Sequence, residues 1–501
     1  MAVEAGTTSP NAVSPRLWTV FISGVVALSG LLSFWGLGRQ ALWYDELFTA
    51  MATMHGPIAA VAATARDINP PLFYVLESLS LGMIGHSAWT LRVLPAALAT
   101  LTTLTMYLAG KRLYGRATGA WAAVLYALSR PGLSYAQEAR MYSLLMLLSA
   151  LLLLAFALLL EKQTLWRTVL LGFVLSCIAY THVYGYMAPA ILATPVFLLP
   201  RLRVRVGRQV AVACAIAVVL FLPWIPVIPN QVAAIQAGSI AGSWWIRPPV
   251  SVLALLADDL ASYAPGRHAL GSLLFLALLA AGVLRPSASS PNRDARAGRD
   301  MDVSWTLLAL ATLPALLGLL ISKYVVPIHS MRYTLGGLPA AILLVTRGGL
   351  NLRRPFGKTA LTALLVVGAL WLPTFYSDTA GKGDLGGAAE FVSQSPNSPV
   401  VTDGYYDAYS VAAYTTLGDM DRSAGIYYVP NGQAASLEVV SLDNAQRVET
   451  TRLTEESEDV FVLSGGDAES LARRLGLAQG RRLAQKRTFG GVTALRYAPL
   501  R

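Results

Sequence analysis

Charge is scarce in this chain of 501 residues. Asp, Glu, Lys and Arg make up 13% of it, about half the share of a typical soluble protein. Cysteine is nearly missing: Cys177 and Cys214 both lie in apolar runs, which offers neither a disulfide framework nor a cysteine metal site. No HExxH spacing, Walker A loop or dinucleotide fingerprint occurs, so nothing points to ATP or nicotinamide use. What is there instead is apolar. Hydrophobic residues reach 55% with a mean hydropathy of +0.52, which excludes disorder, collagen and an ordinary cytosolic enzyme.

The net charge of +11 is unevenly placed. Residues 1–375 carry 27 Lys and Arg against 12 Asp and Glu, whereas residues 376–501 carry 12 against 16. The excess sits between apolar runs, where it orients a membrane protein; nucleic acid is not the expected partner.

Eleven apolar runs approach the ~20 residues of a spanning helix: 17–37, 89–109, 117–132, 141–160, 166–182, 184–199, 209–228, 268–284, 303–321, 333–346 and 359–375. The first lacks a small-residue cleavage pattern, so no cleavable signal is expected. With these spans, loops rich in Lys and Arg alternate with loops rich in Pro, Trp, Tyr and His. Basic loops go to the cytoplasm, which puts residues 1–16 inside and the tail after Phe375 outside. Leu72–Ile84 is apolar but short, with Glu77 in its middle. Counting it as a crossing would place all five basic loops outside, so it reads as a juxtamembrane or re-entrant helix. Residues 376–501 alternate strand-like runs (399–402, 424–429, 459–463, 492–497) with helical patterns (387–393, 468–475), the mark of a small α/β domain.

Acids are few enough to enumerate. Those on the outer side are Asp45, Glu46, Asp67, Glu77, Glu138, Asp258 and Asp259, and a charge near a bilayer usually has a reason. Asp45 and Glu46 follow the first span; repulsion between them favours a raised pKa and general-base use. The alternative is a hydrated acid pair at a loop start. Asp67, before Asn69, suits a helix cap or turn. Arg140 offers a planar fork for an oxyanion, or a structural pair with Glu138. Lys323, His329 and Arg332 form a second outer cationic cluster, while His182 and Tyr184 end the fifth span as either ligands or hydrogen-bonded interface residues.

Several motifs agree in order and side: Asp45-Glu46, Asn69-Pro70-Pro71-Leu72-Phe73-Tyr74, Arg92, Gly110-Lys111-Arg112-Leu113-Tyr114-Gly115, Tyr135-Ala136-Gln137-Glu138-Ala139-Arg140-Met141-Tyr142, Thr181-His182-Val183-Tyr184-Gly185 and Arg332-Tyr333. Over residues 17–375 the sequence resembles bacterial polytopic glycosyltransferases of the GT-C superfamily, in the family 39 (protein O-mannosyltransferase-like) and aminoarabinose-transferase-like group. The resemblance implies a polytopic α-helical membrane protein of GT-C type with outer juxtamembrane helices; the tail at 376–501 lies beyond it and is expected as an extracytoplasmic α/β domain from its own alternation. It implies transfer of a sugar from a polyprenyl-phosphate donor to a hydroxyl of a glycan, glycolipid or protein, at the outer face of a bacterial cytoplasmic membrane. Asp45 is then the base with Glu46 in support, in the outer loop 38–88. Arg140, Lys323 and Arg332 would contact the donor phosphate, with Tyr333, His329, Glu138, Tyr142, Asn69, His182 and Tyr184 around the substrate. Some relatives carry Lys or His before Pro-Pro-Leu, where this chain has Asn69. No cofactor is expected; a divalent ion would find Asp45, Glu46 and Asp67 as oxygen ligands.

Two rival classes share the topology. A transporter or flippase would place charges and broken helices at mid-membrane, often with an internal repeat, and none is visible. A polysaccharide polymerase would centre on a large Arg-rich outer loop, whereas 229–267 holds only Arg247 and Arg267.

Overall fold

The computed structural model describes residues 14–240, 252–264, 269–285, 293–353, 355–378, 383–418, 425–429, 436–439, 446–449 and 459–500. Arg247, Arg267, Ala424 and the first 13 residues of the N-terminal segment lie outside them.

The chain opens with α1 (Pro15–Phe34) and three short helices, α2 (Tyr44–Thr53), α3 (Pro57–Thr64) and α4 (Leu72–Ile84). A helical array follows: α5 (Val93–Tyr114), α6 (Arg116–Ala127), α7 (Arg130–Ala136), α8 (Tyr142–Glu161), α9 (Leu165–Ala179), α10 (Ala188–Leu198) and α11 (Pro200–Phe221). It is completed by α12 (Ile228–Ile240), α13 (Val252–Ser262), α14 (Ala269–Leu284), α15 (Arg293–Tyr324), α16 (Leu338–Asn351) and α17 (Phe356–Ser377).

Helix α8 is apolar on every side, as a helix surrounded by protein must be. The protein buries 83% of its apolar window, against 22% for α1 and 17% for α17. The last two therefore turn most of their surface to lipid. Helices in lipid gain little from hydrophobic exclusion, so small residues that permit close approach matter. Gly119 of α6 lies against the Tyr107 carbonyl of α5, and Gly282 of α14 against the Leu344 carbonyl of α16; a Cβ at either would collide with backbone.

Six described helical stretches are long and apolar enough to cross a membrane, each overlapping one of the eleven expected spans. The other five positions hold α6, α9, α10, α14 and α16, with 11 to 16 residues. At ~1.5 Å per residue these are shorter than a ~30 Å hydrocarbon layer. The basic loops gather at one end of the array. There Arg112 pairs with Glu161 at 3.0 Å, Arg205 donates to the Leu160 carbonyl, and Arg201 lies against Gly298. At the opposite end Arg39 Nη2 donates to the Phe375 carbonyl at 3.1 Å and Gln40 to the Asp378 carbonyl at 2.8 Å. Helix α4 starts at this second end, where Leu72 N donates to the Tyr180 carbonyl, and Ser87 and Thr90 close a turn just beyond it.

The tail forms an α/β domain. Its helices are α18 (Leu385–Ser393), α19 (Tyr405–Leu417) and α20 (Ala468–Arg474). Its strands are β1 (Val400–Thr402), β2 (Ile426–Tyr428), β3 (Ser436–Val439), β4 (Gln446–Glu449), β5 (Val460–Ser464), β6 (Arg481–Phe489) and β7 (Val492–Pro499). They make one sheet in the order β4-β3-β2-β1-β5-β7-β6, parallel through β2-β1-β5 and antiparallel elsewhere. Alternate residues of β5 serve two cores. Phe461 and Leu463 face α18 and α19, and Val460 and Val462 face α20. Gly490 and Gly491, both at positive φ, make the two-residue turn that pairs β6 with β7.

Candidate active site

Asp45 and Glu46 occupy the first turn of α2, where unpaired N–H groups and the helix dipole favour negative charge. Both are buried, at 6% and 0% exposure. The expected like-charge partnership gives way to a division of labour. Glu46 takes Arg92 in a fork, Oε1 to Nε and Oε2 to Nη2, each at 2.7 Å, and accepts from Ala139 N at 3.0 Å. Arg92 spends its remaining N–H groups on the carbonyls of Leu37, Gln40 and Ala41. Glu46 therefore braces the first loop against the 135–142 segment.

Asp45 Oδ2 is bound by Arg332 Nη1 at 2.7 Å. Arg332 rises from the 3-10 turn Met331–Gly337 before α16, with its guanidinium 5.2 Å from the centre of the Trp43 ring. Arg140 lies in the link between α7 and α8. Gln137 anchors that link by donating to the carbonyls of Leu32, Ser33 and Trp35 at the end of α1. Arg140 Nη1 donates to Tyr74 Oη at 2.9 Å and to the Asp45 carbonyl at 3.3 Å, while its Nε has no protein partner.

His182 is fully buried against Tyr142, Tyr184 and Tyr333, with ring centres 6.0, 5.7 and 4.8 Å away. Its Nδ1 accepts from Tyr184 N at 3.1 Å, so a neutral ring carries its proton on Nε2, and that atom has no partner either. Burial, with repulsion from Arg140 and Arg332, brings the imidazole down to about 3. Asp67 accepts from the backbone and side chain of Asn69. Burial pushes its carboxyl up against the opposing pull of Arg140.

Other expected residues lie further out. His329 Nε2 is 3.1 Å from Asp259 Oδ2 in a buried pair, and its Nδ1 is 3.4 Å from Tyr184 Oη. It touches the site through Tyr184 only. Lys323, expected at the phosphate, stands 5.5 Å from the Tyr324 ring at the end of α15 and has no ion pair or hydrogen bond to Asp45, Arg140 or Arg332. Among the described residues no three His, Cys, Asp or Glu gather as a metal site; Glu46 belongs to Arg92 and Asp45 to Arg332. Trp43 and Asp259 were not singled out as site residues, and no spacing in the sequence joins them to partners some 70 and 290 positions away.

Chemically, the centre is a buried carboxylate between two guanidinium groups. It has spare N–H donors for an anion, and an apolar recess lined by Leu145, Ile178, Tyr184, Leu310 and Tyr333 adjoins it.

Residues 68–227 match the family model of dolichyl-phosphate-mannose-protein mannosyltransferase. No curated protein matches the chain. Among solved structures, ArnT from Cupriavidus metallidurans in the apo state is similar with a TM-score of 0.60 and 14% identity, over 96% of this chain and 98% of that one. The Archaeoglobus fulgidus oligosaccharyltransferase is similar with a TM-score of 0.54 and 12% identity, over 96% and 73%. The matched family model covers residues 68–227, and over nearly the whole chain the fold is that of the membrane transferases ArnT and the archaeal oligosaccharyltransferase.

Proposed function

We propose that this protein transfers a sugar from a polyprenyl-phosphate donor to an acceptor hydroxyl, with Asp45 as base and Arg140 and Arg332 at the departing phosphate. The observation that carries this reading is the buried charge pattern: two guanidinium groups and one carboxylate, with Arg140 Nε and His182 Nε2 holding no protein acceptor. Buried donors left unpaired are costly, and a phosphate oxygen would satisfy them. The recess beside Tyr184 and Tyr333 suits the first isoprene units. A similar fold has been solved as ArnT bound to undecaprenyl phosphate, with a TM-score of 0.59 and 12% identity.

Arg332 holds Asp45 through Oδ2. The donor phosphate competes for Arg332 and so releases Asp45 for proton transfer. The acceptor oxygen then attacks the anomeric carbon and its proton passes to Asp45, while the bond from that carbon to the phosphate oxygen breaks with its electron pair on the phosphate. Fixed guanidinium groups stabilise that developing charge without reorganising. The positive-inside rule favours a cytoplasmic position for the basic end of the array, which supports a site on the outer face of a bacterial cytoplasmic membrane and a product in the envelope.

The test is mass spectrometry of polyprenyl-phosphate sugars and envelope glycans in a deletion strain. One lipid-linked sugar should accumulate and one glycan residue should vanish. The wild-type gene should restore both, and Asp45→Asn should restore neither. Unchanged pools in the deletion strain would overturn the proposal.

A further inference from the structure

Among the described residues, six tyrosines lie where the α/β domain meets the membrane array. Tyr405, Tyr406 and Tyr409 project from the first turns of α19 towards Tyr44, whose ring centre is 6.4, 4.6 and 5.1 Å from theirs. Tyr428, the last residue of β2, stands 5.5 Å from Tyr405. Tyr44 immediately precedes Asp45 in the chain, and the Asp45 charge is felt at the Tyr406 phenol.

Sheet topology gives this place a second meaning. From β1 the chain crosses through α19 to β2 on one side, while β5 pairs with β1 on the other. After β5 it departs through α20 on the opposite face of the sheet. Open α/β sheets take ligands at the carboxyl ends of the strands beside such a reversal. Tyr405 and Tyr406 follow the carboxyl end of β1, so this end of the sheet faces Tyr44, the neighbour of Asp45 in the chain.

The tyrosines do not share one task. Tyr409, at 8% exposure, is buried in the junction, and Tyr414 Oη both accepts from Leu42 N and donates to Leu42 O. Those two dock the domain. Tyr405 and Tyr406 keep 40% and 39% of their surface open, an uncommon outlay for rings that only pack. Beside them Arg474 pairs with Asp403 at 2.7 Å, Asp403 also receives Ser464 Oγ, and Asp407 is a second acid whose carboxyl is raised by burial and by Asp403. Open rings suit a ligand with apolar C–H faces, and carboxylates beside them accept from its hydroxyls.

We propose that Tyr405 and Tyr406, with Tyr44 beside Asp45, form the acceptor subsite, and that its occupant is a sugar ring of a glycan. This rests on the transferase reading above and names its acceptor class. The ring stacks its C–H face on the phenols and presents one hydroxyl towards Asp45. The α/β domain is thereby the acceptor-holding half of the enzyme.

The test is saturation-transfer NMR on the full chain in lipid nanodiscs. The probes are methyl glycosides of mannose, galactose, glucose and arabinose, with a neutral Ser/Thr peptide as the competing class. At least one glycoside should show contact at its ring protons. The double variants Tyr405→Ala/Tyr406→Ala and Tyr405→Leu/Tyr406→Leu should weaken it about tenfold, and Tyr406→Trp should retain it. The Leu pair keeps apolar volume without the ring face, so it reports even if the Ala pair fails to fold. Asp45→Asn should leave sugar contact intact while abolishing transfer. Equal sugar signals in wild type and the Leu pair, or Tyr-dependent contact with the peptide alone, would overturn the subsite. Full transfer by Asp45→Asn would instead defeat the assignment of the base and leave the subsite standing.

Discussion

At the scale of single residues, the two neighbouring acids are separated by what they bind. Glu46 and Arg92 form a buried fork at 2.7 Å; removing one partner of such a pair leaves an uncompensated charge and costs ~3–5 kcal/mol. Glu46→Gln should therefore lower the thermal midpoint sharply, and any folded fraction should keep a wild-type KM for donor. A stable, inactive Glu46→Gln protein would instead return this residue to the chemistry. Arg140→Ala should reduce turnover by about 10²–10³. Arg140→Lys should recover part of that, because charge survives and the planar fork does not; equal donor binding in both variants would refute a phosphate role. His182 supplies a pH signature. Its folded-state value of about 3 lies below the ordinary 6.5, so its contribution to stability is complete above pH 6.5. That contribution is lost as pH falls towards about 3 and the unfolded chain takes up a proton. Thermal melts of wild type should fall faster over that window than those of His182→Gln.

The long elements were legible in sequence because their signal is collective. Runs such as 141–160 and 359–375 announce α8 and α17 by composition alone. The expectation for α4 has another basis: a thirteen-residue helix carrying Glu77 cannot cross without inverting every later loop. Cysteines placed at Ile58 and His86, in a chain otherwise cleared of Cys177 and Cys214, should be labelled from the same side of the membrane. Opposite labelling would make α4 a crossing. Four elements of the tail were missed: α19, β3, β4 and β6. Helix α19 (YYDAYSVAAYTTL) is rich in aromatic and β-branched residues, which weakens its helical signal. It follows from topology instead, since parallel β1 and β2 require a crossover. Strand β6 (RRLAQKRTF) is an edge whose charged residues deter pairing with other chains, and that protection erases the alternation by which strands are recognised. Close packing is a third matter that composition does not reveal. Gly348 lies against the Leu278 carbonyl of α14, so Gly348→Ala should cost ~1–3 kcal/mol through overpacking, readable as a lower midpoint in detergent.

Across the whole molecule, residues that form the centre come from α2, the α7–α8 link, the α9–α10 turn and the segment before α16, so no local window contains it. Proximity in the sequence suggested that Asp45 and Glu46 act together; three-dimensional partners divided them. The clamp on the first loop shows how far this integration goes. Residues 39–42 are tied on one side to the last membrane helix, through Arg39 and Gln40. On the other they are tied to the α/β domain, through Tyr414. A loop held at both flanks is a route for coupling: a tail ligand that shifts the loop changes the cost of displacing Asp45, and by reciprocity displacing Asp45 then changes affinity in the tail. Ending the chain at Phe375 should thus leave insertion into the membrane intact and loosen donor binding at a site from which no donor-binding residue has been removed. Donor affinity equal to that of the full chain would show that this route transmits nothing.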